Sequence, residues 1–415
     1  MASDSQPASS WWSGGTVPTM DEASPIDRYL ELGLRLGRHL DGLVDAYYGP
    51  DDVLARVEAE PIRPLDALAD DARHLTADLD AGAGDLEPQR RRWLRAQVAG
   101  LHVVARKLGG EAIAYRDEVE WCYGVRPDKG SEDDLAAAHD HLAEALPGSG
   151  PLPERLIAWR ESHQVPPDRL EAAIRALADD FRERTDRLFG LPEGEHVEFM
   201  FETDKPWSGF NYYEGGLRSR VAINIDLPVL STSLGHLVAH EAYPGHHTEH
   251  TRKEVGLVRR RDQQEESIFL VGTPQCLLAE GLADLGLELL VGERPEPVLA
   301  EHLRPLGIRY DTEVVAAVSA AGEALAAVRG NVALLLHEDG GSTDDAIAYL
   351  ERWSLLPRNR AEKAVQFLTD PTWRAYIFCY VAGLPLCRGF VDGDPQRYAR
   401  LLNEQLIPAD LEAAA

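Results

Sequence analysis

The chain has 415 residues, of which 44% are apolar and 27% charged, so it can bury a sizeable core and suits one large unit with two lobes. Its 42 Lys and Arg residues stand against 70 Asp and Glu, and the formal net charge of −28 disfavours nucleic acid and anionic membrane surfaces as partners. The four cysteines form no Cys-x-x-Cys pair, which favours buried free thiols over disulfides or a thiolate metal site.

The N-terminal part predicts a leader followed by helices. Residues 1–25 are rich in Ser, Gly and Pro and carry no basic or apolar signal segment, which predicts a disordered leader and a cytoplasmic protein. In the region 26–190, apolar residues recur three and four positions apart, so it is expected to be helical throughout. The first of these periodic stretches contains Leu36, Leu40, Leu43 and Tyr47.

The periodicity changes after Gly194. The stretch 196–201 alternates like a strand, and 210–225 predicts a hairpin that turns at Gly215-Gly216, with its second strand at 219–225. A small antiparallel sheet is therefore expected directly before the next helix. Helical periodicity resumes near Ser231 and continues to Leu406, which makes 191–406 a second region, followed by a frayed tail at 407–415.

A cluster of histidines begins the second helical region, and its members are His236, His240, His246, His247 and His250. His240-Glu241 resembles the start of the zinc-protease motif H-E-x-x-H, in which two imidazoles one turn apart bind the metal and the Glu activates water. Pro244 occupies the position of the second ligand here. Because proline and Gly245 break the helix, a local insertion is expected to bring His246 into that position. His247, and His236 one turn before His240, remain alternatives.

Two carboxylates on a later apolar helix are candidates to complete the site. Glu280 lies between alanine, glycine and leucine, so burial is expected, and a buried carboxylate needs a partner. We predict Glu280 as the third metal ligand. Asp284 follows one turn later on the same face, where it can accept a hydrogen bond from a ligating imidazole. Two histidines and one carboxylate leave a position for water, as in a catalytic zinc site.

The octapeptide His240-Glu-Ala-Tyr-Pro-Gly-His-His247 resembles the signature of a bacterial family of unknown function that is related to the gluzincin zinc metallopeptidases, including the Taq carboxypeptidase and thermolysin-like groups. The resemblance extends from about Tyr115 to Phe390. It implies a mainly helical, two-lobed metallopeptidase-like fold, with the small antiparallel sheet preceding the metal-binding helix. It also implies one Zn²⁺ per chain.

Further residues are assigned by the same resemblance. The strand 219–225 resembles the edge strand that pairs with peptide substrate in gluzincins, which makes Arg220 and Asn224 candidates for substrate binding. Near the C-terminus, Tyr376 and Tyr380 are similar to a Tyr-x-x-x-Tyr segment of the Taq carboxypeptidase group. Tyr380 would stabilise an oxyanion, Tyr376 would support the site, and Arg388 could bind a substrate carboxylate.

Three functions remain open at this stage. The leading hypothesis is a zinc-dependent peptidase, of the oligopeptidase or carboxypeptidase type, that uses metal-activated water with Glu241 as general base. A metal-dependent hydrolase or lyase of a small non-peptide metabolite would use the same ligands but predicts a covered edge strand. A non-catalytic metal-binding scaffold predicts that Glu241 forms a structural salt bridge. The ligand set also suits iron, but Glu241 and the family resemblance favour zinc.

Overall fold

The computed structural model describes residues 23–205, 208–226 and 228–413. Most of the predicted leader therefore lies outside the described residues. The segments before the main sheet are α1 (Pro25–Gly37), β1 (Val44–Tyr47), α2 (Asp51–Ala59), α3 (Leu65–Asp80), α4 (Pro88–Leu108), α5 (Tyr115–Tyr123), α6 (Glu132–Ala145), α7 (Leu152–Ser162) and α8 (Pro167–Phe189).

The main sheet lies between α8 and the histidine-rich segment. It consists of β2 (His196–Glu202), β3 (Gly209–Gly215) and β4 (Arg218–Asn224), in the order β2-β4-β3. These strands confirm the predicted β elements. The sheet is mixed rather than purely antiparallel as predicted, because β2 pairs parallel with β4 on the side away from the β3–β4 hairpin. Hairpin chemistry could predict the antiparallel pair, whereas the parallel pair is set by a longer connection.

The remaining elements are again mainly helical. They are α9 (Ser231–Glu241), α10 (His246–Lys253), β5 (Ile268–Leu270), α11 (Pro274–Val291), α12 (Glu296–Leu303), α13 (Thr312–Leu325), α14 (Ala327–His337), α15 (Thr343–Trp353), α16 (Arg358–Thr369), α17 (Ile377–Val391), α18 (Pro395–Asn403) and α19 (Pro408–Glu412). The predicted fold class, mainly helical with small sheets, is confirmed.

Local sequence accounts for many helix starts. Ser24, Ser131 and Ser342 each accept a hydrogen bond from the backbone N–H three residues later, which satisfies one of the free donors of the first turn. Several other helices, among them α4, α8 and α11, have proline at the first or second position, where its missing N–H costs nothing.

Two predictions about local structure were wrong. The stretch around Leu43 and Tyr47 is strand β1, which pairs with β5, and neither short strand was predicted. Strands of three or four residues are too short for a clear period, and these two pair across a long sequence separation. The tail is also ordered in part, because Leu411 of α19 is fully buried in the core.

Two hydrophobic cores organise the chain. The first core is formed mainly by α1, α3–α5, β1, β5 and the helices from α14 onward, and the second by α6–α9, α12 and α13. Helix α11 belongs to both, with Leu278 and Leu282 in the first core and Leu287 and Leu290 in the second. The predicted boundary near 190 thus marks a change of secondary structure, while the cores interleave along the chain.

One helical stretch of 26 residues, Thr312–His337, is long and apolar enough to cross a membrane by length and composition, and 39% of its most apolar window is buried. Buried helices of soluble proteins share this composition, so the stretch carries no membrane assignment. The four cysteines are free and buried, as predicted.

Candidate metal centre

The break in the histidine-rich helix occurs where the sequence places proline and glycine. Helix α9 ends at Glu241 and α10 begins at His246, with a cis peptide bond between Tyr243 and Pro244. The backbone N–H of Gly245 donates to the carbonyl of Ala239 at 2.9 Å. Any Cβ at Gly245 would overlap the His240 carbonyl oxygen, so only glycine fits this approach.

This break brings three side chains together. Nε2 of His240 lies 3.1 Å from Nε2 of His246 and 3.4 Å from Oε2 of Glu280, and Nε2 of His246 lies 3.7 Å from Oε1 of Glu280. Ligand atoms at about 2 Å from a tetrahedral zinc ion are roughly 3.3 Å apart, so this spacing suits a metal of that size. The geometry brings His246, and not His247 or His236, next to His240 and Glu280.

The buried polar atoms of this triad fit a bound cation. Oε2 of Glu280 is buried and has no hydrogen-bond partner among the described residues, which is costly for a carboxylate. Burial opposes ionisation of Glu280, but His240 and His246 outweigh it and lower the pKa of this carboxyl. Burial likewise opposes the charging of His240, yet Asp284 and Glu280 raise its pKa well above the usual value. The triad therefore attracts positive charge.

Two neighbouring groups hold the triad in position. Oδ1 of Asp284 lies 2.8 Å from Nδ1 of His240, which directs the other ring nitrogen toward the triad, and 3.4 Å from Nε2 of the half-exposed His236. The hydroxyl of Tyr376 donates to Oε1 of Glu280 at 2.6 Å. Asp284 and Tyr376 thus lie where the sequence predicted supporting residues.

The carboxyl group of Glu241 is buried beside the triad and forms no hydrogen bond or ion pair with a residue in the described ranges. A Cβ on Gly209 of β3 would lie 3.2 Å from its Oε1, and Asn211 donates to its main-chain carbonyl at 2.6 Å. Burial raises the pKa of Glu241, and the nearby His240 and His246 oppose that rise. The absence of a structural salt bridge speaks against a purely structural role for this residue.

Tyr380 lies beside Tyr376 and is partly open to solvent. Its ring centroid is 5.4 Å from that of Tyr376, and 37% of the residue is exposed, whereas Tyr376 is only partly exposed and engaged with Glu280. A tyrosine hydroxyl in this position can reach a molecule that enters from solvent.

His247 has a different role from the one expected for a substrate-facing residue, because it is completely buried. Its Nδ1 lies 2.8 Å from Oγ of Ser219 on β4, and its Nε2 lies 2.9 Å from Oε2 of Glu195. The hydroxyl of Tyr243 donates to the same Glu195 oxygen at 2.7 Å. These contacts fasten the start of α10 to the sheet. Sequence reasoning missed Glu195 and Ser219, which lie far from His247 in the chain.

Three residues that were predicted to contact substrate have partners within the protein, and one prediction about their strand was wrong. The strand 219–225 is not an edge strand, since β4 is paired on both sides, and Arg220 forms an ion pair with Glu214. Asn224 donates to the Lys205 carbonyl and accepts from the Asp226 N–H, a strand-end arrangement. Arg388 forms ion pairs with two acids, Glu288 at 2.8 Å and Glu323 at 3.1 Å. These acids neutralise the guanidinium charge that was expected to bind a substrate carboxylate.

Asp45 was also missed by the sequence reasoning. It lies on β1, a strand that was predicted as helix, and is close enough to Glu241 and Glu280 for both to influence its ionisation. No local motif marks it, because its position depends on the pairing of β1 with β5.

Comparisons with known proteins define the fold more than the activity. No family model matches the chain, and no curated protein matches it significantly. A solved structure, "the putative lipoprotein from Colwellia psychrerythraea", matches with a TM-score of 0.50 and 15% identity over 87% of this chain and 68% of that chain. The two proteins share a fold.

Two further solved structures are less similar in fold. "A putative lipoprotein of unknown function from Shewanella oneidensis" has a TM-score of 0.48 and 12% identity, and covers 94% of this chain and 81% of that chain. Metallocarboxypeptidase 1 of Trypanosoma cruzi has a TM-score of 0.37 and 14% identity, and covers 94% of this chain and 98% of that chain.

Proposed function

We propose that this protein is a metal-dependent hydrolase of the peptidase type, with one zinc ion held by His240, His246 and Glu280. The observation that carries the proposal is the convergence of these three side chains beside an unpaired Glu241. A zinc ion in this position would polarise a substrate carbonyl and make water a strong nucleophile at neutral pH.

The protein's own groups have distinct tasks in this proposal. Glu241 accepts the proton of the attacking water and passes it to the leaving group, because its carboxyl is buried, uncommitted and next to the ligands. The hydroxyl of Tyr380 donates a hydrogen bond to the oxyanion that develops on the substrate. Asp284 keeps His240 oriented through Nδ1, and Tyr376 keeps Glu280 in position.

A peptide substrate is supported by the position of β3. This strand is the outer strand on one side of the sheet, and its first residue, Gly209, lies against Glu241. An extended peptide can pair with an outer strand through backbone hydrogen bonds. In this proposal β3 takes the role that the sequence had suggested for 219–225.

A small non-peptide substrate is the second candidate. It is favoured by one observation, namely that β4 is covered on both sides as this alternative requires. Both candidates use the same ligands and the same base, and a survey of substrates separates them.

The first test is metal content, followed by cleavage of a peptide library. We expect about one zinc per purified chain, lost in Glu280→Ala and retained in Glu241→Gln. Glu241→Gln should reduce cleavage by about 10²–10⁴-fold, the usual contribution of a general base. Stoichiometric zinc without peptide cleavage would favour the non-peptide substrate. If Glu280→Ala retained the metal, the proposed centre would be wrong.

A further inference from the structure

Asp45 occupies an irregular position in its strand. Val44 pairs with Leu270 and Ala46 pairs with Phe269, so two steps along β1 correspond to one step along β5. Asp45 is the extra residue of this β-bulge and has no partner in the ladder. Bulges redirect a side chain and are common beside active sites. The neighbouring Ala46 is buried in the core and holds the strand in place on one side of the bulge.

The redirected carboxyl group lies next to the proposed metal centre. Glu280 and Glu241 are the charged groups that act on Asp45, and Asp45 in turn acts on Cys276, which precedes Glu280 by one helical turn. A Cβ on Gly42, just before β1, would lie 3.3 Å from the ring of Trp373, and the ring centroid of Trp373 is 5.7 Å from that of Tyr376, which donates to Glu280. Asp45, the general base and a metal ligand therefore lie near one another, although they come from three different elements.

Asp45 lacks a counter-charge from the protein. It forms no hydrogen bond or ion pair with any residue of the described ranges, and it is only partly exposed to solvent. Burial, followed by Glu280 and Glu241, raises the pKa of Asp45 to about 7. A carboxylate that has two other carboxyl groups nearby and no cationic partner is unfavourable, and a cation from outside the protein would stabilise it. A group of that charge can be brought in by the substrate.

We propose that Asp45 binds the protonated amino group of the substrate, so that the enzyme acts at the free N-terminus of short peptides, as an aminopeptidase or dipeptidase. This inference rests on the proposed hydrolase function. The α-amino group is two bonds from the carbonyl carbon of the first residue, which matches an anchor that lies close to both Glu241 and Glu280. The arginine that could have bound a C-terminal carboxylate, Arg388, is neutralised by Glu288 and Glu323.

A metal ion is a less suitable occupant for Asp45. Among the described residues, the groups of side chains able to hold a metal comprise His236, His240, His246, Glu280 and Asp284, and Asp45 belongs to neither group. Asp45 therefore offers one carboxylate outside these groups, which suits an ammonium group, because an ammonium needs few fixed ligands.

The test uses two probes that a peptidase cannot hydrolyse, leucine hydroxamate and N-acetyl-leucine hydroxamate. Their binding to the zinc-loaded protein is measured by isothermal titration calorimetry. We expect the free amine to bind at least about tenfold more tightly, as for one charge-assisted hydrogen bond, and Asp45→Asn to abolish that preference. The control is Asp41→Asn, an exposed acid just before β1, which should preserve it. Equal binding of the two probes, or a preference unchanged in Asp45→Asn, would overturn the inference.

Turnover separates this inference from the proposed function. Wild type is given the same tripeptide with a free or acetylated N-terminus, and with a free or amidated C-terminus. Cleavage that requires the free amine and tolerates the amide is expected, and Asp45→Asn should raise KM for the free peptide while zinc content stays unchanged. Equal cleavage of the acetylated peptide refutes N-terminal recognition but leaves the hydrolase function intact. If neither peptide is cleaved, the peptidase function fails, and the hydroxamate preference still decides the role of Asp45.

Discussion

Oδ1 of Asp284 lies 2.8 Å from Nδ1 of His240, one helical turn along α11 from Glu280. One helix thus carries both a proposed metal ligand and the carboxylate that orients another. This arrangement fixes the ring of His240 so that Nε2 faces His246 and Glu280. The support for the centre can be tested separately from the ligands themselves.

Asp284→Asn should weaken zinc binding by about 10–100-fold, because an amide orients the imidazole less well and adds no negative charge. The affinity is measured by competition with a chelator. Glu288→Gln, one turn further along α11, is the matched control, since it removes a charge from the pair with Arg388 and does not contact the triad. Equal zinc affinities for the two variants would contradict the role of Asp284.

His246→Ala and His247→Ala should differ in kind. His246→Ala should abolish zinc binding and change the unfolding free energy of the metal-free protein by less than about 1 kcal/mol. His247→Ala should lower that free energy by about 2–4 kcal/mol, because it leaves a cavity and removes two buried hydrogen bonds, to Ser219 and Glu195. Denaturant unfolding in the presence of a chelator provides the measurement. The reverse order of stabilities would show that the network around Glu195 is not structural.

Tyr380→Phe should reduce kcat by about 10²–10³-fold and leave the zinc content unchanged, as expected for the loss of one oxyanion donor. Tyr376→Phe should act mainly on the metal, because its hydroxyl donates to Glu280. Steady-state kinetics and elemental analysis of both variants distinguish these effects. Unchanged kcat in Tyr380→Phe would exclude it from the reaction.

Gly281→Ala should destabilise the protein by about 1–3 kcal/mol, because any Cβ there would overlap the carbonyl of Gly383 where α11 crosses α17. The change should also weaken zinc binding, since Gly281 follows Glu280 directly. Gly389→Ala on α17 is the control, because no atom lies within 4 Å of its Cβ position, and its stability should be unchanged or higher by about 0.4–1 kcal/mol. The measurement is thermal unfolding of the two variants. Equal changes in their stability would show that α11 and α17 are not in tight contact at Gly281.

The metal centre was more predictable than the rest of the site because its determinants are local. Pro244 and Gly245 interrupt the helix, and the number of residues inserted at this break can be read from the sequence. That number predicted that His246 lies next to His240. Asp284 follows from helical spacing with Glu280. Both inferences need only the geometry of a single helix.

The features that the sequence could not predict depend on distant parts of the chain. The strand 219–225 was recognised, but its central place depends on β2 pairing with its far side. Arg388 was a candidate to bind a substrate carboxylate because it follows Tyr380 on the same helix. Its ion-pair partners, however, come from the distant helices α11 and α13. Asp45 depends on the pairing of β1 with β5, which no periodicity in either segment reveals.

The passage of α11 through both cores has a consequence for how the molecule unfolds. His240 belongs to a helix packed in the second core, whereas Glu280 directly follows residues of the first. A zinc ion bound between them would join the two cores and add its binding energy to their mutual cooperativity. Calorimetry of the zinc-loaded protein should therefore show a single heat-absorption peak, and removal of the ion should divide that peak into two, with the less stable core melting first.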